Sequence, residues 1–382
     1  MTSARTYLDH NATAPLRPEA RAAMLAALDT IGNPSSVHAE GRRMRALIED
    51  AREAVGALVG ARPADVVFTS GATEANNWVL RQGWRLIVVT PLEHPSVLAA
   101  ARATTAEINE VSVDSTGVVA ADRVAEALSN HAAALGHTLV ALQAANNEIG
   151  TVQPVGEVAA YARARGARVM SDAVQAAGRM PIDFVASDLD YMTLSAHKLG
   201  GPTGVGALIV REGAPLAPFT HGGGQERRRR GGTENVPGIA GFGAAASAVR
   251  RDLADMARIR RLRDRLEREA ISLTPDAIII GGNAERLANT TCLARPGASA
   301  ETLVIRLDLA GIAVSAGAAC SSGKVGPSLM LAAIGIAPVT AAAAIRISLG
   351  WSTSDADVDA FLMAWAAINS TAGRNMPMRQ VA

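Results

Sequence analysis

Aromatic residues are scarce in this sequence: phenylalanine, tryptophan and tyrosine together make up 3% of its 382 residues. Surfaces that bind single-stranded nucleic acid stack the bases on aromatic side chains, so the composition argues against such a surface. The 37 basic and 36 acidic residues leave a formal net charge of +1. No overall field therefore draws the chain towards nucleic acid or an anionic membrane, and the one local exception is the basic run Arg227 to Arg230.

Long apolar runs and cysteine clusters are also missing. No uninterrupted apolar stretch approaches the ~18 residues of a membrane span, and the first residues lack the apolar core of a signal peptide. We therefore expect a cytoplasmic protein with no membrane partner. The two cysteines, Cys292 and Cys320, are too few for a disulfide framework, and no cysteine/histidine cluster suggests zinc. We expect no metal.

What the sequence does contain is an alternation of helical and strand-like segments. Apolar residues recur at three- and four-residue spacing from about Val37 to Val59, which predicts a helix, and the charged stretch from about Ser247 to Leu273 predicts a long one. Because 382 residues exceed the size of one core, we place a domain boundary within that charged stretch. Short apolar runs between helices predict a mainly parallel sheet covered on both faces. These runs are Val66–Thr69, Arg85–Thr90, Leu139–Gln143, Arg168–Ser171, Tyr191–Ser195 and Gly206–Val210.

Lys198 is the residue on which the chemical interpretation depends. It lies where a predicted strand ends before a glycine-rich loop, and ligands of open α/β sheets bind at the carboxyl ends of strands. A lone lysine in a loop would more often be solvated, but a partly buried one can form a Schiff base with a carbonyl group. Asp172 follows the preceding predicted strand and could keep a pyridine nitrogen protonated. The pair predicts a site for pyridoxal 5'-phosphate.

Further residues fit the same cofactor. The run from Ser70 to Glu74 opens a predicted helix with small residues, and free main-chain N–H groups there, with the hydroxyl of Thr73, can bind a phosphate. Gln175 could reach the phenolic oxygen of the ring or make ordinary hydrogen bonds in its loop. His94 follows another strand and could lie over the ring or transfer protons, or it could be a surface-loop histidine.

Two residues could bind a substrate. Asn147 follows a predicted strand, where its amide could orient a ring oxygen or a substrate carboxylate. Arg346 lies in Ile345-Arg346-Ile347, a strand-like run in which a charge is unfavourable unless it is paired. An inward guanidinium would suit an α-carboxylate, and an edge-strand arginine facing water is the alternative.

The two cysteines lie in different contexts. Cys320 lies among small residues without a helix or strand pattern, where it would be accessible, and nearby Lys324 would favour the thiolate. Cys292 lies in a strand-like run, and we expect a half-buried, structural residue. Cys320 is therefore the candidate nucleophile.

Taken together, these motifs resemble the cysteine desulfurases of the NifS/IscS type, within the fold-type I aminotransferase superfamily. The resemblance implies an α/β fold of the fold-type I PLP-dependent transferases. Its large domain, 15–255, would hold a mainly parallel seven-stranded sheet, and 1–14 with 256–382 would form a smaller α+β domain carrying the catalytic cysteine loop. The matching motifs cover nearly the whole chain in family order: Tyr7 to Thr13, Gly32 to Ser35, Ser70 to Glu74, Asn146 to Gly150, Asp172 to Gln175, Ser195 to Lys198, His221 to Glu226, Gly231 to Thr233, the Cys320 loop and Ile345 to Gly350.

The resemblance also implies a role for each site residue. Lys198 would carry the cofactor as a Schiff base, with Asp172 at its ring nitrogen and Gln175 at its phenolic oxygen. His94 would stack on the ring, and Cys320 would take sulfur from L-cysteine. The remaining implied roles are phosphate binding by Ala72, Thr73, Ser195, His197 and, from the partner subunit, Thr233, and substrate binding by Asn147 and Arg346.

The same resemblance implies partners. The protein would be a homodimer that converts L-cysteine to L-alanine and passes a persulfide to a scaffold or carrier protein, in iron–sulfur cluster assembly or related sulfur trafficking. A nucleic-acid partner is expected only through a tRNA-thiolation pathway, and Arg227 to Arg230 is interpreted as a solvated loop or as a patch for an acidic partner or tRNA. Two alternatives stay open: another PLP enzyme of this fold, such as a selenocysteine lyase or an aminotransferase, and a non-catalytic partner in sulfur assembly.

Overall fold

The computed structural model describes residues 5–131, 136–316 and 328–370 of the chain. The strands in those ranges are β1 Thr6–Tyr7, β2 Val66–Thr69, β3 Leu86–Val89, β4 Glu107–Glu110, β5 Thr138–Ala141, β6 Arg168–Asp172, β7 Tyr191–Ser195, β8 Gly206–Val210, β9 Ile278–Ile280, β10 Thr290–Ala294, β11 Ile312–Ala313, β12 Ser315–Ala316 and β13 Ala344–Ser348. The α-helices are α1 Pro18–Leu28, α2 Ala39–Leu58, α3 Ala72–Leu80, α4 Pro95–Arg102, α5 Ala121–Asn130, α6 Val155–Ala164, α7 Val236–Asp252, α8 Met256–Leu273, α9 Ala300–Leu309, α10 Leu329–Ala333, α11 Pro338–Ala341 and α12 Asp355–Ser370.

Seven strands form the central sheet, in the order β2-β8-β7-β6-β5-β3-β4. β8 runs antiparallel to both of its neighbours, and every other neighbouring pair is parallel. In β2, Val66 and Phe68 pack into a core shared with α2, α5, α6 and α7, whereas Val67 packs into a core shared with α3 and α4. The expected seven-stranded, mainly parallel sheet with helices on both faces is confirmed.

The apolar runs in the sequence identify most of these strands. β2, β7 and β8 have the predicted bounds. Every residue in these three strands is buried, so most of their side chains are apolar and the strands are recognisable in the sequence. The edge strand β4 has no such signal, since its sequence Glu-Ile-Asn-Glu is polar and partly exposed. Periodicity also predicts α2, which spans Ala39–Leu58.

The expectation of one long helix from Ser247 to Leu273 is wrong. Helix α7 ends at Asp252, a 3₁₀ turn spans Leu253–Asp255, and α8 begins at Met256. The alternating charges continue through this turn, and no glycine or proline marks it in the sequence. The sequence pattern therefore gives no indication of the break between α7 and α8.

A second core lies in the C-terminal part of the chain. The four-stranded antiparallel sheet β12-β13-β10-β9 packs against α8, α9 and α12, where the rings of Phe361 and Trp365 stack with their centroids 6.0 Å apart. Leu8, near the start of the chain, belongs to the same core, and β1 pairs in parallel with β11. This shared core supports the division into 15–255 and 1–14 with 256–382, which stays a proposal. No helix in the described ranges is long and apolar enough to cross a membrane.

Candidate active site

A cavity of about 380 Å³ opens at the carboxyl ends of the central strands. The segments that follow β2, β3, β5, β6 and β7 all line it, which is the usual position of a ligand site in an α/β sheet. The structure thus brings together residues that are far apart in sequence. The predicted site residues in the wall are Ala72, Thr73, His94, Asn147, Asp172, Gln175, Ser195, His197 and Lys198.

Lys198 reaches the cavity from a 3₁₀ turn, Ala196–Lys198, that follows β7 directly. Its Nζ donates hydrogen bonds to the main-chain oxygens of Asn11, at 2.6 Å, and Ala12, at 2.8 Å. The segment before α1 therefore holds the half-buried amine in place, and an amine at this position can reach a ligand in the cavity.

Asp172 ends β6, the strand next to β7, so its carboxylate and Lys198 face the same cavity. The side chain is almost buried, and each oxygen accepts one hydrogen bond. Oδ1 accepts from the main-chain N–H of Val174 at 3.0 Å, and Oδ2 accepts from Nδ2 of Asn76 at 3.1 Å. The carboxylate is thereby fixed in orientation, as a partner for a protonated ring nitrogen must be.

The N-terminus of α3 forms one end of the cavity. Strand β8 approaches this turn so closely that a Cβ on Gly206 would lie 2.7 Å from the Cα of Gly71, and only glycine fits there. Glu74 accepts a hydrogen bond from the N–H of Ser70 at 2.9 Å and is bound in turn by Arg230 at 3.1 Å. The first N–H groups of a helix have no intrahelical partner, so this fixed turn is suited to a phosphate.

Gln175 is held by a buried arginine that the sequence analysis did not single out. Its Nε2 donates to the main-chain oxygen of Asn11 at 3.1 Å, and its Oε1 accepts from Nη1 of Arg179. Burial lowers the pKa of Arg179 to about 9, and Arg346 adds to this effect. Because the arginine can only donate, the amide oxygen must face it, and Nε2 is the donor on the other side.

His94 is the N-cap of α4, and its Nδ1 accepts the main-chain N–H of Ser96 at 3.1 Å. Burial lowers the pKa of His94, while Asp172 raises it and Lys198 lowers it. The alternative of a surface-loop histidine is wrong, because the ring lines the cavity.

A second histidine of the wall, His197, also favours the neutral form. Burial lowers the pKa of His197 to about 4, with further contributions from Lys198 and Arg179. Its Nδ1 lies 3.2 Å from the hydroxyl of Thr13. A neutral imidazole can bind an anion only through its one N–H.

Arg346 lies on a central strand of the second sheet, since β13 is paired on both sides. Its side chain is buried, so the alternative of an arginine facing water is wrong. Nη2 donates to Oδ1 of Asp9 at 2.8 Å, and Nη1 donates to the main-chain oxygen of Asn147 at 3.3 Å. Asn147 lines the cavity and Arg346 does not, so the guanidinium reaches the cavity wall through its bond to Asn147.

Thr233 and the two cysteines lie elsewhere. Thr233 is exposed and does not line this cavity. Cys320, together with Lys324, lies outside the described residues. Cys292 is fully buried in β10 rather than half-buried, because that strand is paired on both sides, and burial raises the pKa of its thiol. A buried thiol with a raised pKa suits a structural residue.

Asn76, which donates a hydrogen bond to Asp172, is the residue near the cavity that sequence reasoning missed most directly. It is fully buried in α3, on the same face as Ala75, Val79 and Leu80. The helical period of these residues is visible in the sequence and would have placed an asparagine among them on the buried face. Asn11 and Arg179 carry no comparable signal, since their contacts depend on how distant segments meet.

The comparisons with known proteins agree with this geometry. The model of the family described as aminotransferase class-V matches residues 6–361. The chain belongs to this family. A cysteine desulfurase from Cereibacter sphaeroides is 42% identical over 370 residues, covering 94% of each chain. An IscS-like cysteine desulfurase from Mycobacterium tuberculosis is 40% identical, covering 93% of this chain and 94% of the relative. The X-ray structure of a NifS-like protein from Rickettsia africae superimposes with a TM-score of 0.89 at 33% identity, over 96% of this chain and 99% of that one.

Family membership gives the cofactor and the fold type. Class-V aminotransferases and cysteine desulfurases depend on pyridoxal 5'-phosphate, so this is the cofactor of the chain, and its fold is that of the fold-type I PLP-dependent transferases. The resemblance recognised in the sequence motifs is thereby confirmed.

Proposed function

We propose that this chain is a cysteine desulfurase that removes sulfur from L-cysteine, releases L-alanine and holds the sulfur as a persulfide on Cys320. The observation that carries the proposal is the placement of Lys198 and Asp172 at the ends of the neighbouring parallel strands β7 and β6, facing one cavity. Relatives that are 42% and 40% identical over most of the chain bear this name, which supports it.

The residues of the cavity fit pyridoxal 5'-phosphate. The start of α3, with Ala72 and Thr73, offers main-chain N–H groups and a hydroxyl to the phosphate, and Ser195 and His197 line the same wall. The carboxylate of Asp172 suits the ring nitrogen, Nε2 of Gln175 suits the phenolic oxygen, and Lys198 supplies the amine. When bound, this cofactor draws electrons away from the α-carbon of an amino acid and so weakens the bonds to that carbon.

The remaining catalytic roles belong to side chains of the protein. With the cofactor bound, Lys198 would be the base that takes the α-proton of the substrate, and the main-chain oxygens of Asn11 and Ala12 are placed to orient its amine. Asp172 would keep the ring nitrogen of the cofactor protonated. His94, in the wall of the cavity, would shield the ring of the cofactor from water.

Asn147 and Arg346 position the substrate. The fork of the guanidinium matches an α-carboxylate, and its bond to the main chain of Asn147 links it to the cavity wall. For Arg346 to bind the substrate directly, part of its contact with Asp9 must be exchanged for the carboxylate. Substrate binding by these two residues is therefore coupled to the Asp9 pair.

The sulfur step uses the thiolate of Cys320. It attacks the sulfur of the bound substrate, a sulfur–sulfur bond forms, and the bond between that sulfur and the β-carbon breaks. The electron pair of the broken bond stays with the carbon skeleton, which takes up a proton and leaves as L-alanine. L-cysteine and one thiol thus become L-alanine and one persulfide, with no other reactant. The sequence context of Cys320 and the family resemblance support its role.

The partners follow from the same family relationship. We propose a homodimer in which Thr233 of one subunit completes the phosphate site of the other; its exposure outside its own cavity supports this. The persulfide is passed to a scaffold or carrier protein, in iron–sulfur cluster assembly or related sulfur trafficking. The cytoplasmic address expected from the sequence stays a prediction.

Measuring sulfide and alanine together tests this proposal. The PLP-loaded protein is incubated with L-cysteine and a thiol reductant, and both products are followed for the wild type, Lys198→Ala and Cys320→Ser. Cys292→Ala is the matched control for loss of a thiol. We expect equal amounts of the two products from the wild type and the control, and at least about 100-fold less from the other two variants.

Each alternative gives a different pattern in the same assay. A lyase or aminotransferase in which Cys320 is an ordinary loop residue would leave Cys320→Ser as active as the wild type. A non-catalytic partner would show no cofactor absorbance that depends on Lys198 and no turnover. Either result would overturn the proposal.

A further inference from the structure

The hydroxyl of Ser96 links two residues that line the cavity, His94 directly and Asp172 through Asn76. Its Oγ lies 2.7 Å from Nδ1 of His94 and 2.9 Å from Nδ2 of Asn76. The same Nδ2 donates to Oδ2 of Asp172 at 3.1 Å. A continuous chain of hydrogen bonds therefore runs from the carboxylate of Asp172, through Asn76 and Ser96, to the imidazole of His94.

The directions of these bonds follow from counting protons. A carboxylate only accepts, so the amide of Asn76 turns Nδ2, with its two protons, towards Asp172 and Ser96. The opposite orientation would place two oxygens, Oδ1 of Asn76 and Oδ2 of Asp172, against each other. Oγ of Ser96 accepts one proton of Asn76, which leaves its own single proton available to Nδ1 of His94.

A second donor reaches the same nitrogen of His94. As the N-cap of α4, His94 accepts the main-chain N–H of Ser96 at 3.1 Å, and Pro95, the first residue of that helix, has no N–H of its own. A main-chain N–H can only donate, so Nδ1 must offer a lone pair. A proton on Nδ1 would lie against this N–H, and a neutral imidazole has only one other nitrogen to carry it.

We propose that Asn76 and Ser96 are positioning residues that hold neutral His94 in the tautomer with its proton on Nε2. His94 then presents an N–H donor to its surroundings, and neither of its nitrogens has a lone pair free to remove a proton. The inference rests on the proposed function for its meaning in catalysis, because it leaves removal of the α-proton to Lys198.

The charges that face His94 are compatible with a neutral ring. Asp172 at the end of β6 raises the pKa of His94, and Lys198 after β7 lowers it, but burial is the largest effect and lowers it. The ring also lies at the N-terminus of α4, where the helix dipole disfavours a positive charge. The hydrogen bond from Ser96 acts in the same direction, since it is made to the neutral form.

Nitrogen NMR of the holoenzyme, labelled with ¹⁵N in the histidine rings, measures the tautomer directly. Protonated and unprotonated ring nitrogens resonate far apart, and the signals of residue 94 are those lost in His94→Gln. We expect Nε2 to carry the proton and Nδ1 to be unprotonated. A wild-type spectrum with the proton on Nδ1 would overturn the proposal.

Variants of Ser96 test the relay itself. Ser96→Ala removes the hydroxyl and keeps the main-chain N–H, so the pKa of His94 should rise by roughly 0.7, the equivalent of one hydrogen bond of about 1 kcal/mol. Ser96→Thr keeps the hydroxyl and should restore the wild-type value. Ser129→Ala removes an exposed helix hydroxyl, bonded to Ala125, and is the control that should change nothing. A pKa and ¹⁵N shift of His94 that are the same in Ser96→Ala and the wild type would contradict a role for the hydroxyl.

The NMR measurement and the desulfurase assay test the two proposals separately. The tautomer is read without turnover, so an inactive protein with the proton on Nε2 would refute the proposed function alone. An active desulfurase with the proton on Nδ1 would refute the relay alone.

Discussion

Arg346, which is fully buried, and Asp9, which is half-buried, form an ion pair between segments that are far apart in the sequence: Nη2 of Arg346 donates to Oδ1 of Asp9 at 2.8 Å, across 337 positions. The hydroxyl of Ser315 donates to the other carboxylate oxygen at 2.7 Å. The pair fixes the start of the chain to β13 and, through Asn147, to the wall of the cavity. We therefore expect substitutions at this contact to affect both the stability of the fold and the binding of substrate.

Asp9→Asn should destabilise the protein, because it leaves the guanidinium of Arg346 buried without its counter-charge. We expect a loss of about 3 kcal/mol in the free energy of unfolding, measured by urea denaturation with saturating cofactor. Asp308→Asn is the matched control, since its ion pair with Arg5 is exposed on both sides and should contribute less than about 1 kcal/mol. Equal effects of the two substitutions would contradict a stabilising role for the pair of Asp9 with buried Arg346.

Arg346→Lys should weaken substrate binding more than it slows turnover. A lysine keeps the charge but loses the fork that matches a carboxylate, so KM for L-cysteine should rise about tenfold, the equivalent of about 1.4 kcal/mol, with a smaller change in kcat. Steady-state kinetics measures both. Arg268→Lys, on the exposed surface of α8, is the control. An unchanged KM in Arg346→Lys would exclude the arginine from substrate binding.

Asp172→Asn should lower kcat without releasing the cofactor. The amide cannot keep the ring nitrogen protonated, so electrons are withdrawn from the substrate less effectively, and we expect a loss of roughly 100-fold or more. Lys198 is unchanged, and the absorbance of the bound cofactor should persist with an altered maximum. A variant with wild-type kcat would show that Asp172 does not face the ring nitrogen.

Glu93 should make the stability of the protein fall as the pH rises. Burial, with a smaller contribution from the charge of Asp172, raises the pKa of Glu93 to about 8, although the N–H of Gln143 acts in the opposite direction. The unfolded chain loses this proton near pH 4.5, whereas the folded chain keeps it until about pH 8. Between these values the folded state binds more protons, so the contribution of Glu93 is fully present below about pH 4.5 and is lost towards pH 8.

Glu93→Gln removes this dependence and keeps the size of the side chain. Relative to the wild type, the variant should gain free energy of unfolding by up to about 1.4 kcal/mol for each pH unit between about 5 and 8. Urea denaturation at several pH values measures the difference. If the difference were constant with pH, Glu93 would not be protonated in the folded protein.

The sequence predicts the features that depend on local pattern. The strands β2, β7 and β8 are continuous buried runs. Lys198 can be located because it follows β7, and Asp172 because it ends the largely buried strand β6. Parallel strands bring their carboxyl ends to the same edge of the sheet, so the fold class alone predicts that these two residues lie near each other.

The remaining contacts depend on long-range packing and have no local signal. The partner of Arg346 lies at the other end of the chain, and the bond of Arg179 to the main-chain oxygen of His10 forms only when the start of the chain reaches the site. Polar edge strands such as β4 carry no apolar run, and the turn Leu253–Asp255 interrupts a charge pattern that continues across it. Cys320 lies outside the described residues, so its role rests on sequence context and family membership.

The most direct test of the central claim is to locate the sulfur after a single turnover. The holoenzyme is treated with one equivalent of L-cysteine, the thiols are alkylated, and the peptides that contain Cys320 and Cys292 are examined by mass spectrometry while alanine is quantified. We predict one additional sulfur atom on Cys320, none on Cys292 and one alanine for each persulfide. Alanine formed without sulfur on Cys320, or no alanine at all, would contradict the account.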